Sequence, residues 1–247
     1  MQIAKLHFDL SHKKSYALAH INNKLSFTMT DNFKRLIKCT ILYGIITFII
    51  CAVSYIYLDR FLVLSISEQL QHNILIKFSN ILSIIFDPNN WFVLFVILVI
   101  ICIWQKTRAK LNPRLLVWTI SLFISIGAAT VIKVTLARYR PELFLQEGLY
   151  GFHWLSHKRL FNSFPSGHAT LGFAGLLGLA YLIQNKKFTV LCIVIALIIT
   201  ISRILSSQHY LSDVLGGVYI GVFSYLWAKT LVTQYIETKK PNSKVSR

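Results

Sequence analysis

The sequence has 247 residues, of which 55% are apolar and only 14% are charged. This balance excludes an ordinary soluble domain, because the charged residues are confined to connections between long apolar runs, as in polytopic membrane proteins. A net charge of +17 also fits a nucleic-acid-binding protein. Most basic residues flank apolar runs, however, so the positive-inside rule explains the charge and we expect no nucleic-acid partner.

Cysteine usage indicates neither a disulfide nor a metal site. The four cysteines lie in or beside apolar runs, without CxxC or Cys/His ligand spacing: Cys39, Cys51, Cys102 and Cys192. We interpret them as small buried apolar residues and expect no metal and no other cofactor. Residues 1–36 are polar and show no cleavable signal peptide. The first apolar run is therefore expected to be an uncleaved anchor.

The first half of the chain contains one clear span and one ambiguous segment. Residues 1–36 carry scattered lysines and are expected to form a cytoplasmic tail. The run 40–58 is uncharged and long enough to cross a bilayer. Residues 62–86 alternate apolar and polar groups at roughly helical spacing, which favours an amphipathic helix in the membrane interface over a crossing. Asp87-Pro88 is typical of a capped helix start.

Five further spans follow that cap, at about 87–105, 115–135, 167–184, 188–205 and 211–230. The predicted fold class is therefore all-α, a polytopic membrane helix bundle with six transmembrane helices and an interfacial helix between the first two. The bundle domain covers 37–236, and the tails 1–36 and 237–247 are both expected in the cytoplasm.

Basic residues set the expected orientation. Placing both termini and the connections 106–114 and 185–187 in the cytoplasm puts 18 of the 26 lysines and arginines there. The eight on the opposite side include Lys133, Arg140 and Arg203, which belong to polar motifs. The positive-inside rule thus predicts cytoplasmic termini and an outward-facing motif region.

Three short polar stretches interrupt the apolar sequence, and groups this polar at the ends of membrane helices cost too much to be incidental. They are KVTLARYRP at 133–141, PSGH at 165–168, and Ser202-Arg203 followed by His209 and Asp213. Fixed positive charge suits a phosphate-like anion. Histidines can move protons or attack phosphorus. Together the stretches indicate phosphoryl chemistry.

Each stretch alone has an ordinary explanation. On a continuous helix Lys133 and Arg140 would share a face, but a single lysine at a span's end often only anchors it in the interface. Ser166-Gly167-His168 opens a span whose free N–H groups can bind an anion, and it is also a common helix start. Asp213 can orient the His209 ring at i+4 or simply serve the helix dipole.

Glycines recur in the fourth and sixth spans, at Gly172, Gly175, Gly178, Gly217 and Gly221. Small residues at such spacings let membrane helices approach closely and can hold His168 and His209 at a fixed separation. The alternative is the general abundance of glycine in membrane helices.

The combined pattern Lys-x6-Arg-Pro, Pro-Ser-Gly-His and Ser-Arg-x5-His-x3-Asp resembles the signature of the type 2 phosphatidic acid phosphatase family. That superfamily also contains vanadium-dependent haloperoxidases, whose soluble form the apolar spans exclude. The resemblance covers about residues 40–230 and fills every signature position in order. It leaves residues 1–36 and the loop sequences unexplained.

The resemblance implies a metal-independent phosphatase. His209 would be the nucleophile that forms a phosphohistidine, Asp213 would bind its other ring nitrogen, and His168 would protonate the leaving oxygen and then activate water. The phosphoryl oxygens would be held by Lys133, Arg140, Ser166, Gly167 and Arg203. Preorganised cationic donors can supply this without a metal.

The sequence therefore predicts a bacterial inner-membrane lipid phosphatase with a periplasmic site. Its substrate would be a phosphorylated lipid of the lipid A, undecaprenyl pyrophosphate, phosphatidylglycerol phosphate or phosphatidate class, with lipid A first. A phosphotransferase using a polyprenyl pyrophosphate donor and a non-catalytic scaffold or transporter are the alternatives. The basic loop residues Arg138, Lys158 and Arg159 suit an anionic head group. The remaining histidines are expected to be solvated: His153 and His157 in the loop, and His7, His12, His20 and His72 elsewhere.

Overall fold

The computed structural model describes residues 31–70 and 74–239. Residues 1–30, 71–73 and 240–247 lie outside the described residues, and so do most of the predicted tails 1–36 and 237–247 and four histidines: His7, His12, His20 and His72. The chain begins with helix α1 (Asp31–Val53), passes through a π-helical turn (Ser54–Leu58) and continues as α2 (Asp59–Leu70). Much of α1 exposes large apolar side chains, Phe48 being 74% exposed, as expected of a helix that faces lipid.

Among the described residues, seven more α-helices follow, together with a short 3₁₀ turn (Arg159–Phe161). They are α3 (Ile74–Ile85), α4 (Pro88–Thr107), α5 (Pro113–Leu136), α6 (Pro141–Glu147), α7 (Gly167–Ile183), α8 (Lys186–Leu205) and α9 (Leu211–Lys239). The predicted cap before α4 is confirmed, because Asp87 Oδ1 accepts a 2.8 Å hydrogen bond from the Asn89 amide. The described residues contain no strand, and the all-α class is confirmed.

Five helical stretches are long and apolar enough to cross a membrane. They are Asp31–Gln69, Ile74–Thr107, Pro113–Leu136, Lys186–Leu205 and Leu211–Thr238. Helix α7, which coincides with the predicted fourth span, is apolar but shorter. The segment predicted as one interfacial helix comprises α2 and α3. The six crossings and the interfacial position stay predictions.

The bundle is built around three helices, α5, α7 and α9, which pack on one another. Helix α8 packs on α7, α4 packs on α5, and α3 packs on α8. The largest apolar core lies between α4, α5, α7 and α8 and includes Trp91, Trp118, Leu122, Phe173 and Ile199. The core thus holds the ends of these helices in fixed relative positions.

Glycines create the closest helix contacts. A Cβ added at Gly221 would lie 2.4 Å from the Thr170 carbonyl oxygen, and one at Gly217 would lie 2.8 Å from the Ser166 carbonyl oxygen. The predicted close approach of the fourth and sixth spans is confirmed. In α7, Gly175 and Gly178 leave space in which the rings of Trp91 and Trp118 pack against the helix backbone. A Cβ at Gly172 would make only ordinary van der Waals contacts.

Candidate active site

The three polar stretches meet at one end of the bundle. Helix α5 ends shortly after Lys133, α7 begins at Gly167, α8 ends just after Arg203, and α9 begins just before Asp213. Backbone hydrogen bonds join these ends directly. The Ser166 amide donates to the Asp213 carbonyl oxygen at 2.9 Å, and the His209 amide donates to the Arg203 carbonyl oxygen at 3.2 Å.

His209 and Asp213 face each other as their spacing predicts. His209 Nδ1 lies 3.5 Å from Asp213 Oδ2, beyond ordinary hydrogen-bond distance, and has no hydrogen-bond partner. The same Oδ2 accepts hydrogen bonds from the Ser163 hydroxyl at 2.5 Å and the Tyr210 amide at 2.9 Å. The carboxylate is therefore held in place opposite Nδ1 of the His209 ring.

The His209 imidazole is neutral at ordinary pH. Burial, followed by the nearby charges of Arg140 and Lys133, lowers the pKa of His209 to about 3, against the opposing effect of Asp213. Only 3% of the side chain is exposed. A neutral ring keeps one nitrogen lone pair available, which is what a nucleophile requires.

His168 and Arg203 meet at Ser83, a residue for which the sequence carried no signal. Arg203 Nη1 donates a short hydrogen bond to Ser83 Oγ, and Arg203 Nη2 donates to the Ser79 carbonyl oxygen at 2.8 Å. His168 Nε2 lies 3.4 Å from Ser83 Oγ and 3.2 Å from the Ser83 carbonyl oxygen. The end of α3 thus closes one side of the site.

Lys133 and Arg140 do not lie on one continuous helix, so the shared face that such a helix would give does not arise. Helix α5 ends at Leu136 because Ala137 adopts a left-handed conformation, with φ of 44°. Both cations instead point to the segment 159–162. Lys133 Nζ donates to the Asn162 carbonyl oxygen at 2.9 Å, and Arg140 Nε donates to the Arg159 carbonyl oxygen at 3.0 Å.

Ser166 precedes α7 without capping it. Its Oγ atom is buried and has no hydrogen-bond partner, which is rare for a buried hydroxyl. Gly167 begins the helix, and a Cβ there would lie 3.8 Å from Lys133 Cε. An unpaired hydroxyl and free helix N–H groups therefore lie near a lysine side chain, an arrangement that suits an anion.

Arg138 is not available to a head group, so that prediction was wrong. Only 1% of its side chain is exposed, and its guanidinium joins two buried carboxylates, Asp59 at 2.7 Å and Asp213 at 2.5 Å. Aromatic rings surround it, with the Tyr210 ring centroid 4.4 Å away. Although burial opposes it, the two carboxylates raise the pKa of Arg138 overall. Two buried anions require a buried cation.

Asp59 was missed in the motif search, although the sequence holds a signal for it. It is the only acidic residue between Asp31 and Glu68, directly after the first apolar run, and an ionisable residue there predicts a function.

The remaining histidine and basic side chains of the loop 140–165 are exposed, as expected for His153 and His157. Lys158 and Arg159 are also exposed and remain available to a head group, with Arg159 lying 3.5 Å from Glu142.

Three cations, two histidines and one unpaired hydroxyl thus surround a common region at the bundle end. Within the described ranges, no group of three or more histidine, cysteine or acidic side chains has a metal-binding arrangement. The cationic groups can stabilise charge on phosphoryl oxygens, and the two histidines can serve nucleophilic and proton-transfer roles. The chemistry that these groups support is phosphoryl transfer.

Comparison with known proteins gives a family match. The family model described as the PAP2 superfamily matches residues 114–237, half of the chain. A lipid A 1-phosphatase of Rhizobium johnstonii is 34% identical over 101 residues, which are 40% of this chain and 41% of that protein. The bacitracin transport permease protein BcrC of Bacillus licheniformis is 28% identical over 152 residues, 61% of this chain and 71% of that protein. The chain thus spans about two fifths of the length of the lipid A 1-phosphatases that it matches.

A solved structure shares the fold. The crystal structure of a PAP2-type phosphatidylglycerolphosphate phosphatase from Bacillus subtilis superimposes with a TM-score of 0.52 at 18% sequence identity. The superposition covers 82% of this chain and 98% of that one. Nearly the whole of that helical architecture is therefore present here.

Proposed function

Because the chain belongs to the PAP2 superfamily, we propose that it is an integral membrane phosphatase that removes phosphate from a lipid phosphate or pyrophosphate. One observation carries the proposal. The buried hydroxyl of Ser166 has no partner and lies at a helix start, in the same bundle end as three cations and a neutral, buried His209. This combination fits an oxyanion-binding nucleophilic site.

The proposed reaction has two steps. In the first, His209 Nε2 attacks phosphorus and the bond from phosphorus to the lipid oxygen breaks, while His168, which has taken up a proton from water beforehand, gives that oxygen the proton. In the second, His168 removes a proton from water, which attacks the phosphohistidine and releases inorganic phosphate. Asp213 stabilises the positive charge that develops on the His209 ring. Hydrogen bonds of this kind are often long before the transition state forms and then tighten.

Phosphate binding is assigned to Lys133, Arg140, Ser166, Gly167 and Arg203. Lys133 and Arg140 are oriented by backbone carbonyls of segment 159–162, and Arg203 by α3. Preorganised donors of this kind stabilise charge on the equatorial oxygens of the transferring group without a metal. The proposed mechanism is therefore metal-independent.

A lipid substrate is supported by the surroundings of the site. An apolar groove of about 380 Å³ lies beside Arg138, between α1 and the loop, and is lined by Phe48, Tyr55, Leu136, Phe152 and Trp154. Such a groove suits a hydrocarbon chain. Lipid A is the first substrate to test, since lipid A 1-phosphatases are among the relatives. Undecaprenyl pyrophosphate, phosphatidylglycerol phosphate and phosphatidate follow.

The placement in the cell is part of the proposal. The apolar helices and the bacterial relatives support a bacterial membrane protein. Charge distribution then favours an inner-membrane protein with six spans in residues 37–236, cytoplasmic tails at 1–36 and 237–247, and a periplasmic site. A substrate in the outer leaflet would reach that site without crossing the bilayer.

The test is purified protein in detergent offered a panel of lipid phosphates, with phosphate release and product mass spectrometry as readouts. Mass spectrometry separates hydrolysis from transfer to a second lipid. His209→Ala and His168→Ala are each expected to lower turnover by roughly a thousandfold or more. His157→Ala is the matched control, because its side chain is exposed. Normal turnover in either site variant contradicts the role assigned to that residue.

A further inference from the structure

Asp59 is a fully buried carboxylate in the first helical stretch, and the proposed mechanism does not use it. It follows the π-helical turn Ser54–Leu58, begins α2 and has 0% exposure. A buried, ionised aspartate beside apolar spans is costly unless it is paired and hydrogen-bonded. Its partners therefore indicate what it does.

Asp59 is fully bonded on both oxygens. Oδ1 accepts hydrogen bonds from Ser54 Oγ at 2.8 Å and from the Ser212 amide at 3.0 Å. Oδ2 accepts from Arg138 Nη2 at 2.7 Å and forms a short hydrogen bond with the Ser212 hydroxyl. Ser212 directly precedes Asp213. Asp59 therefore binds both the guanidinium and the backbone next to the carboxylate that faces His209.

Arg138 connects the two carboxylates. Its Nη1 donates to Asp213 Oδ1 at 2.5 Å while its Nη2 donates to Asp59. A single positive charge is thus shared by two anions. If Asp59 were neutral, the whole charge of Arg138 would act on Asp213, which would become a weaker acceptor for the Nδ1–H of His209. Asp59 has no contact with His209 in this structure, so its effect must pass through Arg138.

We propose that Asp59 is a positioning residue for the reaction, acting through Arg138 and Ser212 to keep Asp213 aligned with His209 and a strong acceptor for its Nδ1–H. The inference rests on the proposed phosphatase function. It also links the first helical stretch to a site whose other residues come from α3, α5, α7, α8, α9 and the loop, so this stretch contributes to the site as well as to the membrane anchor.

The test replaces Asp59 by asparagine, which keeps its shape and removes its charge. Glu68→Gln is the matched control, an equivalent change on the same helix at an exposed position. On the best lipid substrate, Asp59→Asn is expected to lower kcat on the order of tenfold and leave KM within about twofold, because Asp59 touches Asp213's neighbours and not the lipid. Glu68→Gln is expected to match the natural chain.

A second readout does not depend on activity. Histidine ¹⁵N chemical shifts of the labelled protein, assigned with His209→Gln, report which ring nitrogen of His209 carries the proton. The natural chain is expected to hold it on Nδ1, facing Asp213, and Asp59→Asn is expected to increase the Nε2–H form. Unchanged shifts together with unchanged kcat overturn the inference while leaving the phosphatase function standing. A natural chain inactive on every lipid phosphate refutes that function, and the shifts then decide the inference alone.

A second variant keeps the test informative if Asp59→Asn does not fold. Ser212→Ala removes the hydroxyl that forms hydrogen bonds with both Asp59 and Arg138, and it leaves the charges of Asp59, Arg138 and Asp213 in place. Because the connection from Asp59 to Asp213 is then weakened, kcat is expected to fall about threefold and the Nε2–H form of His209 to increase. A Ser212→Ala variant with the kcat and the ¹⁵N shifts of the natural chain contradicts the proposed positioning role.

Discussion

Replacing Gly221 by alanine tests whether the close packing of α7 on α9 sets the geometry of the site. The added Cβ would lie 2.4 Å from the carbonyl oxygen of Thr170 and 2.9 Å from Phe173 Cβ. Ordinary contacts of a Cβ begin at 3.4 Å, so the two helices must separate by about 1 Å. No rotamer change relieves the clash, because the Thr170 oxygen belongs to the helix backbone.

The expected cost follows from that separation. Overpacking a well-packed core costs about 1–3 kcal/mol, and alanine returns up to about 1 kcal/mol through its higher helix propensity. With the full propensity gain, a net loss of about 0–2 kcal/mol in unfolding free energy is therefore expected. The effect on activity is larger, because α7 carries His168 and α9 carries Asp213. A misplacement of about 1 Å between reacting groups can cost about a hundredfold in rate.

Gly127→Ala provides the matched control, since a Cβ at Gly127 meets nothing within 4 Å. Both variants would be compared in detergent by thermal unfolding and by kcat/KM on the best lipid substrate. Gly127→Ala is expected to keep full activity and to be as stable as the natural chain or slightly more stable. If Gly221→Ala matches Gly127→Ala in both measurements, the helix contact does not set the site geometry.

Four shorter predictions follow. Ser83→Ala removes a hydrogen-bond acceptor from Arg203 and is expected to lower kcat/KM about tenfold. The control Ser67→Ala, at a half-buried serine whose hydroxyl donates to Leu64 of its own helix, is expected to leave kcat/KM unchanged; equal values for the two variants contradict the role of α3. The pKa of His209 is depressed from 6.5 to about 3, so between pH 7 and pH 5 the unfolded chain binds a proton at this residue that the folded chain does not. His209 therefore lowers the free energy of unfolding by about 2 kcal/mol over this range. Chemical denaturation at the two pH values should show a smaller loss of unfolding free energy for His209→Asn than for the natural chain. Activity should survive EDTA and be inhibited by vanadate; loss on chelation that one divalent metal restores refutes metal independence. In a background without native cysteines, an impermeant thiol reagent on intact cells should label Leu155→Cys and spare Ala109→Cys, and the reverse pattern overturns the proposed orientation.

Patterns among near neighbours in the sequence were enough to predict the helices and most of the candidate site residues. A bilayer requires every backbone hydrogen bond to be made within the segment, so long apolar runs predicted the helices that are present, and Asp87-Pro88 predicted where α4 starts. The motif residues were also predictable, because histidine, aspartate and basic residues at span ends have few structural uses. The glycine spacing in α7 and α9 predicted their close approach.

Tertiary structure decided which charged groups pair. Arg138 lies between Lys133 and Arg140 in a basic stretch and was predicted to face a head group, yet it is buried against Asp59 and Asp213, which are 79 and 75 residues away in sequence. Burial makes an unpaired charge far more costly than it is at the surface, and burial is a property of the packed helices. Spacing along the chain carries no information about it.

The remaining differences have the same origin. The left-handed conformation of Ala137 ends α5, so Lys133 and Arg140 do not share one helix face. Ser83 meets Arg203 across 120 residues only because α3 packs on α8. The amino-acid sequence was enough to predict the helices and the candidate site residues, since both depend on near neighbours. The partners that orient those side chains depend on contacts between distant segments, which exist only once the bundle is packed.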